Sequence, residues 1–353
     1  MRRSTEVSAL RVDDQEFLIS STIERCPKVM MIRELFKNAL EAAEQAPEGD
    51  RKVEFAVTHL YDTPKLTIWN TGPGMDDEEV SRMSNLAASI RKQKGLDKNF
   101  GMGAKVASLP SNRHGIRYRS CKQGLVHEVI LCERNGVYGR LRRRDTNGDD
   151  LGDVVDVTEQ VRAERERPLD RDWTEVVLLG NRPDQNTVAD PYDGDPVQPK
   201  FWLANYLYHR FYRLPDRVDV RLEEGTHARG PGSRKFETIP NREAKGAFSR
   251  AETVSLSNGM RIHYLYDEPF AATAHNKSIS GAIASAVSTA GVVFRDEMYS
   301  LLTGRDWTIE APTFGIPFGA KHISVHIELP NDARVRPEGY RQFLRYKMEN
   351  RTK

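Results

Sequence analysis

The sequence predicts an α/β protein of two domains, and three observations carry that prediction. An amphipathic helix near the start is followed at once by two strand-like segments, and further strands alternate with helical stretches along the chain. The 353 residues suit two domains with cores of their own rather than one small stapled scaffold. Lys and Arg number 53 against 51 Asp and Glu, a net charge of +2, which argues against a protein held to nucleic acid by bulk charge. With 38% hydrophobic and 29% charged residues, disordered, collagen-like and coiled-coil chains are excluded.

Val29, Ile32, Phe36, Ala39, Leu40 and Ala43 recur at steps of three and four, which predicts a helix over 27–46 opened by Pro27 and closed by Pro47 and Gly49. Alternating Val53, Phe55 and Val57, then 66–69, predict two strands joined at Asp62-Thr63-Pro64. Residues 76–98 are polar and helix-friendly, and 100–107 give a glycine-rich lead-in to a helix ending near Pro110. Strands over 115–120, 125–132, 137–142 and 174–179 complete a sheet backed by helices on one side. Residues 181–200, rich in Pro, Asp and Gly, read as a linker or surface loop, followed by an aromatic helix over 201–212. Strands over 253–266, 291–294 and 322–329 predict a second α/β unit, and 341–353 a charged tail. The expected division is 1–190, a connection over 191–235, 236–340, and the tail.

Cys26, Cys121 and Cys132 are an odd number without a CxxC pair, as expected in a reducing compartment. No apolar run is long enough to span a bilayer and the first residues lack a signal-peptide core, so a cytoplasmic protein without a membrane partner is expected. Asp145-Thr-Asn-Gly-Asp149 has the start of a calcium loop, but Asp150 stands where Gly is required, so it reads as a hairpin turn. His322 and His326 share a strand face without a third ligand and read as packing or surface residues. Arg140, Arg142, Arg143 and Arg144 are either solvated charge or a contact for nucleic-acid phosphates.

Three constellations carry chemistry. Glu34 and Asn38 stand one helical turn apart, on the face opposite Ile32, Phe36 and Ala43, and are expected to project away from the core. Asn70 ends a strand and leads into Thr71-Gly72-Pro73-Gly74-Met75, where two glycines allow a sharp turn and close approach to a flat ligand, and the Asn amide can serve a heterocycle edge. Gly101-Met-Gly103-Ala-Lys105 opens a helix, where backbone N–H groups, the helix dipole and the Lys105 ammonium favour phosphate. The spacing is neither a GxxxxGKS/T loop nor a dinucleotide fingerprint.

In that order over 34–105, the three motifs resemble the GHKL superfamily of gyrase-type topoisomerases, ninety-kilodalton heat-shock chaperones, histidine kinases and MutL. Phe100-Gly-Met-Gly-Ala-Lys105 is most similar in style to the topoisomerase VI B subunit and the MORC ATPases, and Trp173-Thr-Glu-Val-Val resembles the family's Gly-Thr strand start. The resemblance is specific over about 25–180 and implies a Bergerat-type α/β sandwich, a mixed sheet with helices on one face, followed by an S5-like transducer domain.

It further implies Mg²⁺ and ATP as cofactors. Asn38 would hold Mg²⁺, Glu34 would deprotonate the attacking water, and Asn70, Gly72, Gly74, Met75 and Thr174 would surround the base, with Ala42 nearby. Phe100, Gly101, Met102, Gly103, Ala104 and Lys105 would wrap the phosphates as part of a lid over 86–105. Three departures stand out: Asn70 replaces the family's Asp, Trp173 replaces its Gly, and the loop 331–339 offers Arg334 and Arg336 where a lysine is expected, with Lys321 and Lys277 as further candidates. The implied activity is an ATP-driven clamp that dimerises on binding nucleotide and acts on DNA or on a separate effector protein. A nucleotide-binding module with little turnover and a chaperone-like ATPase remain as alternatives. A histidine kinase is disfavoured because nothing upstream of residue 27 is long enough for a phosphoacceptor helix.

Overall fold

The computed structural model describes residues 13–85, 103–227, 230–268, 288–338 and 343–346. Two mixed or antiparallel sheets carry the chain. The first runs in the order β11-β10-β1-β2-β9-β3-β4-β5. Its strands are β1 (Lys52–Leu60), β2 (Thr63–Thr71), β3 (Gly115–Lys122), β4 (Leu125–Arg134), β5 (Val137–Arg140), β9 (Trp173–Gly180), β10 (Asp219–Leu222) and β11 (Arg234–Lys235), with β8 (Val154–Asp156) added against β4. A small ladder of β6 (Arg143–Arg144) and β7 (Asp150–Gly152) projects beyond β5. β1 meets β10 in parallel and β2 antiparallel, so the sheet is mixed.

Tight hairpins set its register. Tyr61 and Asp62, rather than 62–64, turn β1 into β2, both in the left-handed region, and Gln123-Gly124 and Asn135-Gly136 do the same for β3–β4 and β4–β5. Paired positive φ angles match the twist of the flanking strands, which is why a two-residue turn suffices.

Two helices precede the sheet: α1 (Gln15–Glu24), which the apolar pattern does not reveal, and α2 (Met30–Ala43). α1 exposes Phe17 and Leu18 and buries only Ile23 completely, so it has little periodicity to read. α2 lies across β1 and β2, with the Phe36 ring 5.2 Å from Phe55 and edge-on to Phe211 at 4.7 Å. Phe211 follows α6 (Trp202–Arg210), so α2 is enclosed between the sheet and α6. α3 (Asp77–Ser84) and α4 (Gly103–Ser108) follow; the intervening 86–102, including most of the expected lid, lies outside the described residues. Not all helices share one face, contrary to expectation: around α5 (Thr158–Glu164), Val157 and Val161 pack with Trp69, Cys121, Val126 and Trp173 on the opposite side.

The stretch read as a connection contributes to this first layer. Lys65, buried on β2, donates from Nζ to the carbonyls of Leu179 (2.9 Å), Pro183 (2.8 Å) and Gln185 (2.7 Å), which fastens 181–187 to the sheet. β10 and β11 then extend its edge.

After α7 (Ile239–Ala244), the second sheet runs β12-β13-β16-β14-β15. Its strands are β12 (Arg250–Ser255), β13 (Arg261–Tyr266), β14 (Thr289–Phe294), β15 (Glu297–Thr303) and β16 (Ile323–Glu328). On one face α8 (Gly304–Glu310) inserts Trp307 among Ala290, Ile316 and Val325, and its indole Nε1 donates to the carbonyls of Ala320 (3.0 Å) and Ile323 (2.9 Å). The other face supplies Leu265, Val293 and Met298 to the same apolar cluster that holds α2, so the two sheets share one core. No helix among the described residues is long and apolar enough to cross a membrane.

Candidate functional site

Glu34 and Asn38 do share one side of α2, but Glu34 does not face solvent as expected. Because α2 is enclosed on nearly all sides, its carboxylate is buried, at 3% exposure, and Asn38 is half-buried. A carboxylate taken out of water needs a partner, and the preceding residue supplies it: Arg33, equally buried, donates from one guanidinium nitrogen to Glu34 Oε1. The second oxygen points elsewhere. A Cβ added to Gly103, the first residue of α4, would lie 2.3 Å from Glu34 Oε2, so the start of α4 rests against that atom and a larger residue would have to displace it.

Two residues on, Lys105 is buried and donates to the Met83 carbonyl at the end of α3. Burial pushes its ammonium down to about 8. A lysine held out of water at the mouth of a helix, with a carbonyl as its hydrogen-bond acceptor, favours an anion that would restore its charge. Ala104 and Met75 pack partly buried against the main core. Phe100, Gly101 and Met102 lie outside the described residues.

The Gly72-Pro73-Gly74 turn makes its close approaches to the protein itself. A Cβ on Gly72 would stand 2.8 Å from the Ala42 carbonyl of α2, and one on Gly74, at φ +57°, 2.0 Å from the Cys121 carbonyl of β3. The turn therefore threads between α2 and the sheet, and the glycines are demanded by that passage. Lys122 secures the exit, reaching Asp76 (2.6 Å) and Glu79 (2.7 Å) at the capping box of α3.

Beneath this turn lies a polar row across three adjacent strands. Asn70 pairs in register with Thr174, and Thr174 with Ser120, whose hydroxyls are 2.9 Å apart. The buried Asn70 amide donates one N–H of Nδ2 to the Thr71 carbonyl at 2.9 Å, which fixes its orientation, with Oδ1 as its acceptor atom. Trp173, standing where the resembled family has Gly, does not disturb this row. Its side chain turns to the opposite face, donating from Nε1 to the Pro168 carbonyl at 2.6 Å.

Arg334 and Arg336 are exposed, Arg336 on a hairpin of Val335–Pro337 against Leu344–Tyr346. β14 runs parallel to β16 with Val293 opposite Glu328, and Leu329 N–H donates to the Val293 carbonyl. The chain toward Arg334 thus leaves the second sheet at the end carrying the β14–β15 turn, where the sheet meets α2. Lys321 precedes β16 at the other end and Lys277 lies outside the described residues.

The basic cluster is paired at the surface: half-buried Arg140 with Asp153 (3.0 Å) and half-buried Arg143 with Glu128, exposed Arg142 with Asp150, while exposed Arg144 donates to the Gly148 carbonyl (3.0 Å). Asp145 accepts from the backbone of Asn147 and Asp149, a side-chain-braced turn. His326 is buried with its ring 5.6 Å from Tyr212.

Sequence reasoning missed Arg33, Cys26, Ser120 and Glu297. Arg33 had a signal, a charged pair inside an otherwise apolar helical run; Glu297 had none. Cys26 lies near enough that burial and the Glu34 charge together raise its thiol to about 11. Comparison of the chain with models of known protein families, and with curated proteins, finds no match.

Proposed function

We propose that the chain is a Mg²⁺-dependent ATPase of GHKL type, its first sheet and α2 forming a Bergerat-like sandwich and its second sheet an S5-like transducer. The observation that carries this reading is the arrangement around Glu34. A buried carboxylate stands one helical turn from Asn38, with the Gly103 end of α4 against its outer oxygen and Lys105 beyond.

Each group has a chemical task in this reading. Asn38 would offer an amide oxygen to Mg²⁺, which prefers oxygen ligands and keeps several waters. The bound ion would neutralise charge on the phosphate oxygens. Glu34 Oε2 would accept the proton of an attacking water, a role whose loss costs about 10² to 10⁴ in rate. Lys105 and the N–H groups at the start of α4 would hold phosphate oxygens, while Asn70 Oδ1 would accept from the amino group of adenine beside Thr174. Arg334 or Arg336 would supply the distal cation on closure, an arginine being suited to spread phosphoryl charge.

On this reading nucleotide closes the site and brings two copies together, acting on DNA or on an effector protein. Arg140, Arg142 and Arg143 are each paired with a carboxylate, so they lend the DNA partner no specific support. A second reading, a nucleotide-binding switch with little turnover, is favoured by the ion pair that occupies one oxygen of Glu34.

Steady-state hydrolysis by the native chain and by Glu34→Ala separates the two. Turnover lost in the variant, with binding retained, supports the ATPase; equal rates remove Glu34 from the mechanism. Light scattering with a non-hydrolysable analogue tests the clamp, and no change in mass at saturation would defeat it. Repeating both assays with duplex DNA tests that partner.

A further inference from the structure

The second sheet reaches the candidate base through a buried chain of charges. Glu297, the first residue of β15, follows the two-residue turn Arg295-Asp296. That turn is fixed to the end of α6, since Tyr212 N–H donates to the Asp296 carbonyl at 2.8 Å and Phe211 bridges Glu297. The Glu297 carboxylate, 4% exposed, is gripped by two arginines from the first layer. Arg33 on α2 donates from Nε to Oε2 at 2.9 Å and from a terminal nitrogen to Oε1, while Arg210 on α6 donates from Nε (3.1 Å) and Nη2 (2.8 Å) to Oε2. Arg210 is held in turn by the Met298 carbonyl at 3.1 Å and lies over the Tyr299 ring at 4.7 Å.

Two arginines and two glutamates form a neutral set, divided between α2, α6 and β15. Their geometry separates the roles of the two Glu34 oxygens. The fork of Arg33 is spent on Glu297, so a single nitrogen is left to hold Glu34 Oε1, and Oε2 is the oxygen that meets Gly103. A planar guanidinium anchored on both sides cannot rotate without breaking paired, charge-assisted bonds.

We propose that Arg33 is a positioning residue, set by Glu297, through which the seating of the second sheet on the first determines whether Glu34 Oε2 is presented as a base. This rests on the ATPase reading and adds its regulation. With Glu297 in place, Arg33 holds only Oε1 of Glu34 and leaves Oε2 turned toward the start of α4. When β15 shifts away, Arg33 loses its bidentate anchor and closes on both oxygens of Glu34, which silences the base without touching the nucleotide pocket. Movement of the second sheet is thereby converted into turnover.

The test measures Mg·ATP affinity by calorimetry and kcat separately for the native chain, Arg33→Gln, Glu297→Gln, the double variant, and Arg33→Lys. The expected result is a fall in kcat of at least tenfold in each glutamine variant with Kd changed less than about twofold. The double variant is expected to be no worse than the poorer single, because both act through one link. Arg33→Lys keeps the charge but not the fork, so kcat should recover in part and no longer respond to Glu297→Gln. Native kcat in Glu297→Gln, losses that add in the double variant, or losses that follow Kd and melting temperature instead of kcat would overturn the proposal. A native chain that binds no Mg·ATP would sink the ATPase reading itself, and that result needs no variant.

Discussion

Gly103 and Glu34 are in direct contact, the glycine Cα lying where any side chain would strike the carboxylate: a Cβ there would be 2.3 Å from Oε2 and 2.9 Å from Cδ. The contact joins two motifs separated by 69 positions and ties the start of α4 to the one acidic group α2 buries.

Replacing Gly103 by Ala is therefore expected to displace Glu34 while leaving the backbone at the start of α4 in place. Turnover should fall at least tenfold, and the thermal midpoint should move little, because the atom that must give is the end of a side chain. Paired measurements of kcat and melting temperature check this. Unchanged turnover would mean that Oε2 takes no part in catalysis.

On the proposed reading Asn70 meets the base edge. One N–H of Nδ2 is held by the Thr71 carbonyl and Oδ1 is an acceptor suited to a base amino group, so adenine nucleotides should be preferred over guanine nucleotides. Asn70→Ala is expected to reduce that preference about tenfold, the worth of one hydrogen bond of roughly 1 kcal/mol or slightly more. Competition between ATP and GTP measures it. A variant with native selectivity would move base recognition elsewhere. Asn70→Asp, by contrast, places a carboxylate oxygen against the Thr71 carbonyl and should lower stability by about 1 to 3 kcal/mol.

Much of the first layer was legible because local chemistry dictates it. The 3–4 spacing in α2 and the alternation in β1 are consequences of local geometry, and Gly72, Gly74 and Gly103 leave a mark in sequence because only a residue without a side chain makes their close approaches to α2 and β3 unaided. What was hidden is long-range. Nothing around Glu297 says that a strand 264 positions after Arg33 will bring a carboxylate to it. Helical phase placed Glu34 outward because periodicity sees only α2 and the side it offers to one sheet, whereas α6 and the second sheet close over the other side. β10 and β11 were invisible for a similar reason. They are strands of four and two residues at an edge, too short to show a period; β10 pairs with β1, more than 160 positions earlier, and β11 is added only on β10.

Lys105 should report occupation of the site through protons. Its folded-state value of about 8 lies below the ordinary 10.5, with burial the cause. The unfolded chain therefore binds more protons between these values, and stability rises as pH increases from 8 to 10.5, the burial penalty being fully present below 8. Lys105→Met should stabilise the free protein at pH 7 by as much as about 3 kcal/mol and flatten that rise. A phosphate beside the ammonium raises its value again, so nucleotide binding should take up about half a proton at pH 8 and most of one at pH 9. Calorimetry in buffers of different ionisation enthalpy reads this directly. Binding without proton uptake would separate Lys105 from the phosphates.

Acid should loosen the seam between the sheets through Glu297. Burial works to raise its carboxyl, but Arg33, Arg210 and the charge of Lys37 outweigh it and bring the group to about 2, from an ordinary 4.5. The sign follows from linkage: the stabilisation is complete above 4.5 and is lost as pH falls from there through 2, as the unfolded chain takes up the proton first. Glu328, also near 2 beside Arg213 and His263, adds a second contribution in the same window on the same end of the sheet. Glu297→Gln leaves two buried arginines short of a counter-charge and should cost roughly 3 kcal/mol at pH 7. That difference should shrink as the pH falls from 4.5 and approach zero below 2, as the native side chain itself becomes neutral, whereas the contribution of Glu328 persists in both proteins and cancels. Urea unfolding of the two proteins at pH 7, 4 and 2.5 gives the comparison; a gap that stays constant with pH would show that the loss comes from packing and not from the charge of Glu297.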